Sequence, residues 1–404
     1  MRILILSINY SPELTGIGKY NGEMAEWLAA KGHEVQVITA PPYYPSWKIK
    51  SGYTGYWYSR ENINGVSIWR CPLWVPREPS GLKRIAHLMS FAISSLPIMI
   101  SKTACRPDII FVVEPPLFCA PAAWLLARIT RAKCWLHIQD YEVDAAFELG
   151  MLPRQLEGIS NFLEKFLTAR FDRISSISSN MVKRLATKGV AQNKRVYFPN
   201  WVDIQRIYPL ERASKFRKML GIKSKSLVSL YSGNMGEKQG LEVIIEAAAQ
   251  LKDNQHFQFV LCGEGAALSK LKKLAEHASN IHWIPLQPLE DLNELLGLAD
   301  VHLLPQRADA EGLVLPSKLT GMLASGRPVI ATANEGTQVA EIVGMAGMVV
   351  RPGDPFALVG ALKGLVAEPE LCRRLGKAGR EYAVNTLSQG AVLTAFEHDL
   401  RNCI

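Results

Sequence analysis

The stretch Leu227-Val228-Ser229-Leu230-Tyr231-Ser232-Gly233-Asn234-Met235-Gly236-Glu237-Lys238-Gln239-Gly240 decides how this chain is read. An apolar run ends at Tyr231, a glycine-rich turn follows, and helical periodicity runs from 240 to 251. A strand that feeds a helix through a glycine turn aims unpaired backbone N–H groups at one spot, at the positive end of the helix dipole. Such a spot suits a phosphate. The same design opens the chain, where the apolar run 3–8 leads to Gly16-Ile17-Gly18-Lys19 and then to helical sequence over 20–31. Two such units half a chain apart predict two α/β domains facing each other across a ligand.

Working outward, short β-rich runs alternate with helical stretches in both halves. In the first half the runs are 3–8, 34–39, 65–70, 108–113, 133–138, 173–177 and 195–198. In the second they are 227–231, 257–261, 281–284, 301–304, 328–331 and 347–350. Alternation of this kind predicts parallel sheets covered by helices on both faces. Residues 41–58, rich in Pro, Tyr and Trp, read as a loop over the C-terminal edge of the first sheet. Phe198-Pro199-Asn200 punctuates the crossover between halves. The expected division is 1–200, then 201–385, then a C-terminal helix over 386–404 that packs back toward the first domain.

The chain has 404 residues, of which 48% are hydrophobic and 21% charged, as in folded proteins rather than disordered ones. Seven cysteines are scattered without a C-x-x-C pair, which fits free thiols in a reducing cytoplasm, and the first residues lack signal-peptide anatomy. The net charge of +9 sits wholly in residues 1–200, which hold 24 Lys and Arg against 15 Asp and Glu. A basic half suits an anionic substrate or an anionic membrane; no nucleic-acid motif accompanies the charge. Lys83-Arg84 precede a mostly apolar run, 85–100, that contains Pro97. It is short for a bilayer span and reads either as a helix covering the first sheet or as an interfacial helix with basic flanks.

Three places carry candidate chemistry. In the turn 232–240, Lys238 can set its ammonium on a diphosphate, although neither a P-loop nor G-x-G-x-x-G is matched. At Glu311-Gly312-Leu313-Val314-Leu315-Pro316-Ser317-Lys318, a carboxylate can accept from vicinal sugar hydroxyls, while Ser317 and Lys318 at a helix start can meet phosphate oxygens. At His137-Ile138-Gln139-Asp140-Tyr141-Glu142, an imidazole at a strand end can serve a reacting hydroxyl, or can be a hydrogen-bonded structural histidine. Asp140 and Glu142 can bind acceptor hydroxyls or cap the next turn. No D-x-D and no zinc spacing appears, so no catalytic metal is expected.

In combination these residues are familiar. Gly16 and Gly18, His137, Pro199-Asn200, Ser232-Gly233-Asn234 with Lys238-Gln239-Gly240, Cys262-Gly263-Glu264-Gly265, and Pro316-Ser317-Lys318 with Gly326-Arg327-Pro328 resemble family-4-type retaining glycosyltransferases of the GT-B fold. That fold is two Rossmann-like parallel-sheet domains facing across a cleft. The likeness covers nearly the whole chain. The opening 9–20 and the stretch 137–144 are similar to the branch that works in colanic-acid-type exopolysaccharide biosynthesis, which implies fucose from GDP-fucose as donor.

The resemblance implies that the Gly16–Gly18 loop lies between donor diphosphate and acceptor, and that His137 contacts the transferred sugar. It implies further that Gly233, Asn234, Lys238, Ser317 and Lys318 bind the donor and that Glu264 lines the base pocket. Transfer would retain configuration and need neither metal nor cofactor. Two departures stand out. The arginine usual in the first loop of the second domain is Asn234 here, and the partner of Glu311 in the family's glutamate pair falls on Leu319 or Gly321, by the framing chosen.

The sequence therefore predicts a glycosyltransferase using a nucleotide-diphosphate sugar and a polyprenyl-diphosphate-linked glycan, peripheral at the inner membrane face. A nucleotide-sugar epimerase or oxidoreductase, and a non-catalytic nucleotide-sugar binder, remain as alternatives.

Overall fold

A computed structural model describes residues 1–13, 16–78, 81–115, 117–141, 157–308 and 315–404. The chain divides into two compact units, Met1–Pro199 with Leu393–Ile404, and Asn200–Val392.

The first unit is built on eight strands: β1 (Arg2–Leu6), β2 (Glu34–Thr39), β3 (Ser59–Ile63), β4 (Val66–Arg70), β5 (Ile109–Glu114), β6 (Lys133–Ile138), β7 (Arg173–Ser176) and β8 (Arg195–Tyr197). They lie in the order β3-β4-β2-β1-β5-β6-β7-β8. Every pairing is parallel except β3 with β4. β3 is the one strand of this sheet with no counterpart in the sequence reading. Its Ser-Arg-Glu-Asn-Ile sequence is polar and lacks alternation, because it is an exposed edge held by pairing rather than by burial. Central β5 is buried at all six positions, the mark of a parallel strand covered on both faces. Helix α1 (Gly16–Ala30) follows β1, α2 (Gly81–Ser101) follows β4, and α3 (Ala120–Thr130) joins β5 to β6.

The second unit has six parallel strands: β9 (Leu227–Ser232), β10 (Phe257–Cys262), β11 (Ile281–Ile284), β12 (Val301–Pro305), β13 (Val329–Thr332) and β14 (Gly347–Val350), ordered β11-β10-β9-β12-β13-β14. Sequence order reverses at β9–β12 here and at β1–β5 in the first unit. In open parallel sheets ligands bind beyond the strand C-termini at such a reversal. Both glycine turns singled out in the sequence leave these central strands, so topology puts each at its own unit's switch point. The helix Gln338–Ala346 has no counterpart in the sequence reading; it is started by Thr337, whose hydroxyl accepts from the Ala340 amide.

The last helix, Gln389–Cys403, closes the first unit. Phe396 stacks on Phe198 with ring centroids 4.1 Å apart and meets Phe111 edge-on at 5.2 Å, while Glu397 pairs with His33 at 3.0 Å.

Candidate functional site

The switch-point loop of the first unit is held by buried polar side chains. Glu13 accepts from the backbone amides of Tyr43 and Tyr44, each at 3.0 Å, and from Asn9 Nδ2 at 2.9 Å. The buried guanidinium of Arg70 donates to Ser11 O at 2.7 Å and Ala40 O at 3.1 Å, and pairs with Glu61. Burial nevertheless raises the Glu13 carboxyl above the ordinary range; its three donors and Arg70 pull the other way. The glycines serve this packing. A Cβ on Gly18 would lie 2.5 Å from Glu13 Oε2, and one on Gly22 would lie 2.8 Å from Ser11 Cβ. Gly16, exposed, takes a left-handed φ of 62° at the start of α1.

His137 stands near the end of β6, on the face that carries Trp135. The ring is enclosed between Phe111 and Phe198, with 2% of the residue exposed. Gln139 Nε2 lies 2.9 Å from its Nε2. An amide nitrogen can only donate, so Nε2 accepts and Nδ1 carries the proton to Ser175 Oγ at 2.9 Å. Burial lowers the imidazole to about 3, so it is neutral at any working pH. Strand-end position located this residue, but the strand's twofold alternation turned it inward.

Asp140, the next polar residue but one beyond the strand, is exposed. Arg84, at the start of α2, is close enough to Asp140, His87 and Tyr43 to bias the ionisation of all three. The sequence marked Arg84 only as the flank of an apolar run; its nearness to Asp140 comes from the fold. Glu142 lies outside the described residues, as does Glu311.

The switch-point loop of the second unit is built from backbone instead. Gly233 N donates to Cys262 O at 3.0 Å, Met235 N to Glu264 O at 2.7 Å, and Ala267 N to Met235 O at 2.9 Å. Two neighbouring loops thus lie flat on one another. A Cβ on Gly263 would sit 1.9 Å from Gly233 O, and one on Gly265 would sit 2.4 Å from Met235 O. Lys238 falls in the single-turn helix Glu237–Gln239, and Gly240 turns left-handed (φ 64°) against Arg307 before the helix Glu242–Gln250. Asn234 and Glu264 are exposed on the facing loops.

Among the described residues the helix Ser317–Ala324 starts without a side-chain cap, and Leu319 N turns back to Pro316 O at 2.9 Å. Lys318, in its first turn, folds back over the Tyr231 ring at 4.2 Å, and its Nζ would be 3.9 Å from a Cβ on Gly233. Among the described residues no carboxylate pairs with it. Burial lowers the ammonium to about 7. Of the residues named from the sequence, the structure brings Gly233, Asn234, Ser317 and Lys318 to this switch point. Leu319 is buried in the core, and a Cβ on Gly321 would meet Leu296, so neither position turns a side chain to that spot. Arg307, at the end of β12 beside Gly240, is a further cation there that sequence reading passed over.

Comparison with known proteins fits both halves. Residues 15–201 match the glycosyl transferase 4-like domain, and residues 213–382 match glycosyl transferases group 1. Over 413 aligned residues the chain is 42% identical to the Escherichia coli protein assigned to colanic acid biosynthesis as glycosyl transferase WcaI, covering 99% of this chain and all of that one. N-acetyl-alpha-D-glucosaminyl L-malate synthase of Bacillus anthracis is 21% identical over 98% of this chain and 96% of its own.

Among solved structures, sucrose-phosphate synthase of Thermosynechococcus elongatus superposes with a TM-score of 0.76 at 19% identity, covering 99% of this chain and 98% of that one. Anabaena HepE, solved with UDP-glucose, gives 0.70 at 14% with both chains fully covered. These two likenesses are of fold alone. With two switch-point loops, each in a parallel α/β unit, and a full-length relative well above chance identity, the chain belongs to the family-4-type glycosyltransferases of the GT-B fold.

Proposed function

We propose that this glycosyltransferase moves a sugar, with fucose from GDP-fucose the first candidate, from a nucleotide-diphosphate donor to a polyprenyl-diphosphate-linked glycan in colanic-acid-type exopolysaccharide biosynthesis. The anomeric configuration is retained and no metal is required. The second unit takes the donor, the first takes the acceptor, and the enzyme works peripherally at the inner membrane face. The colanic-acid assignment of the 42%-identical relative supports the pathway class, and the UDP-glucose of the Anabaena structure supports the donor class.

One observation carries the reading: Lys318, partly enclosed at the second unit's switch point, has no carboxylate partner among the described residues. A cation desolvated without a counter-ion invites an anion. In the reaction the bond from C1 of the sugar to the diphosphate oxygen breaks as the acceptor oxygen bonds to C1. Charge grows on the departing diphosphate. Lys318 and Lys238, with the amide at Ser317, are the donors assigned to that charge, and preorganised donors are the largest catalytic contribution in many enzymes. The hydroxyl proton passes to the departing phosphate oxygen, because neutral His137 has both nitrogens engaged. His137 in this scheme holds Gln139 and thereby the rim at Asp140, and Asp140 and Glu142 take the acceptor hydroxyls. Glu311 meets the transferred sugar and Glu264 the base.

Calorimetric titration with UDP, GDP, ADP and CDP tests this. One nucleoside diphosphate binds, and Lys318→Ala weakens it by tenfold or more. Equal binding by the variant removes Lys318 from the donor site.

A further inference from the structure

Helix α2 is apolar on two faces, and only one of them is buried. His87, Leu88, Phe91, Ser95 and Met99 face the sheet. Hydrogen bonds pin the helix there, from Ser94 Oγ to Pro72 O at 2.7 Å and from Tyr58 Oη to Ser94 O at 2.8 Å. It is therefore a cover of the first sheet, not a span, although its 21 residues are long and apolar enough to cross a bilayer. The opposite face carries Leu82, Met89, Ile93, Leu96 and Ile100, all exposed, at the three-and-four spacing of a continuous stripe. Neighbouring α3 repeats the pattern with Leu125 and Ile129, and Phe118 just ahead of it. The helix Glu157–Thr168 adds exposed Phe162 and Phe166, joined to α3 by Arg170, whose guanidinium lies 3.2 Å from the Phe166 ring and 5.4 Å from the Trp124 ring. Exposed Tyr56 and Trp57 stand in the chain just before Tyr58.

Along α2 and α3 the charge has one sign. Between Glu78 and Asp108, and again between Glu114 and Asp140, the sequence contains no carboxylate, while Lys83, Arg128 and Arg131 are exposed there. Glu164 is buried in an ion pair with Lys188. A two-fold contact between copies of this chain would set like charges against each other. Phospholipid headgroups of negative charge match them, and acyl chains match the stripes between.

We infer that α2, α3 and the Phe162–Phe166 face together form a membrane-docking surface that lies in the interface of an anionic bilayer. The inference deepens the proposed function, on whose membrane-borne acceptor it rests. It predicts co-flotation of the full chain with vesicles of equal phosphatidylglycerol and phosphatidylcholine at low salt, and little with phosphatidylcholine alone.

Ile93→Glu with Ile129→Glu alters two side chains already 62% and 61% exposed, so folding is spared. Partition should drop tenfold or more while nucleoside-diphosphate binding stays at wild-type strength. Lys83→Ala should cost about fivefold, since each basic residue near an anionic surface contributes about 1 kcal/mol. Failure of the wild type to co-float, undiminished flotation of the double variant, or a wild-type dimer that the double variant turns into monomer would each overturn the docking surface. Wild type that co-floats but binds no nucleoside diphosphate would sink the donor reading and leave the surface standing.

Discussion

The two switch-point loops occupy equivalent places in two parallel sheets and are held in opposite ways. The loop of the first unit is tied by side chains: Glu13, Asn9 and Arg70 use their hydrogen-bonding capacity on the protein itself. The loop of the second unit is stapled by backbone amides and glycine-to-glycine contact, and a lysine beside it is left without a described counter-charge. Equal topology thus supports unequal chemistry. A loop fixed by its own carboxylate gives a firm wall, whereas a loop fixed by backbone keeps its nearby charge for a ligand.

The sharpest way to break this comparison is at the glycines. Gly263→Ala places a methyl 1.9 Å from a carbonyl oxygen that belongs to the facing backbone, in a left-handed conformation. It should destabilise the second unit by about 3 kcal/mol or more, seen as a lost thermal transition and rapid proteolysis. Gly18→Ala meets the Glu13 side chain, 2.5 Å from Oε2 and 2.7 Å from Cβ, with the nearest backbone atom 3.2 Å away, so about 1–3 kcal/mol is expected there. Equal tolerance at both positions would contradict the difference drawn between backbone and side-chain fastening.

Next in size is Lys318→Ala, which should lower turnover by about 10²-fold, as for other preorganised donors. It should leave thermal stability unchanged or raised, because the ammonium is desolvated in the free protein. Glu13→Gln should destabilise the first unit by about 1–3 kcal/mol, since Asn9 Nδ2 then faces an amide that cannot accept at both positions. Unfolding by denaturant would show it, with nucleoside-diphosphate binding unaffected.

The smallest effect is on pH. Burial holds Lys318 near 7 in the free protein, so donor affinity should fall as pH rises from 6.5 to 8.5, by up to roughly 25-fold when only the ammonium form binds. Lys318→Arg should flatten that slope, because a guanidinium stays charged. His137, lowered to about 3, should contribute no step near 6.5 to the rate profile.

How much of this was legible beforehand follows from what a linear pattern encodes. Both sheets and both glycine turns were legible, because strand runs, helical periods and glycine turns are local signals. Edge strand β3 was not, since its polar Ser-Arg-Glu-Asn-Ile is held by pairing with β4. The reach of Arg70 to Ser11 and Ala40 joins three segments distant in sequence, and nothing near position 70 announces it. His137 was located correctly on its strand, but its enclosure depends on Phe111, Phe198 and Ser175, which only the fold brings together. Lys318 was legible as a helix-start cation; that it rests on Tyr231 was not. The epimerase or oxidoreductase alternative, open on residues alone, gives way to glycosyl transfer through family membership.

The most direct measurement is a crystal structure with the nucleoside diphosphate that titration selects. The account predicts both phosphorus atoms beside Gly233, with Lys318 Nζ swung from the Tyr231 ring onto a phosphate oxygen. Phosphates bound at the Glu13 loop instead, or Lys318 still folded on Tyr231 with the ligand in place, would contradict it.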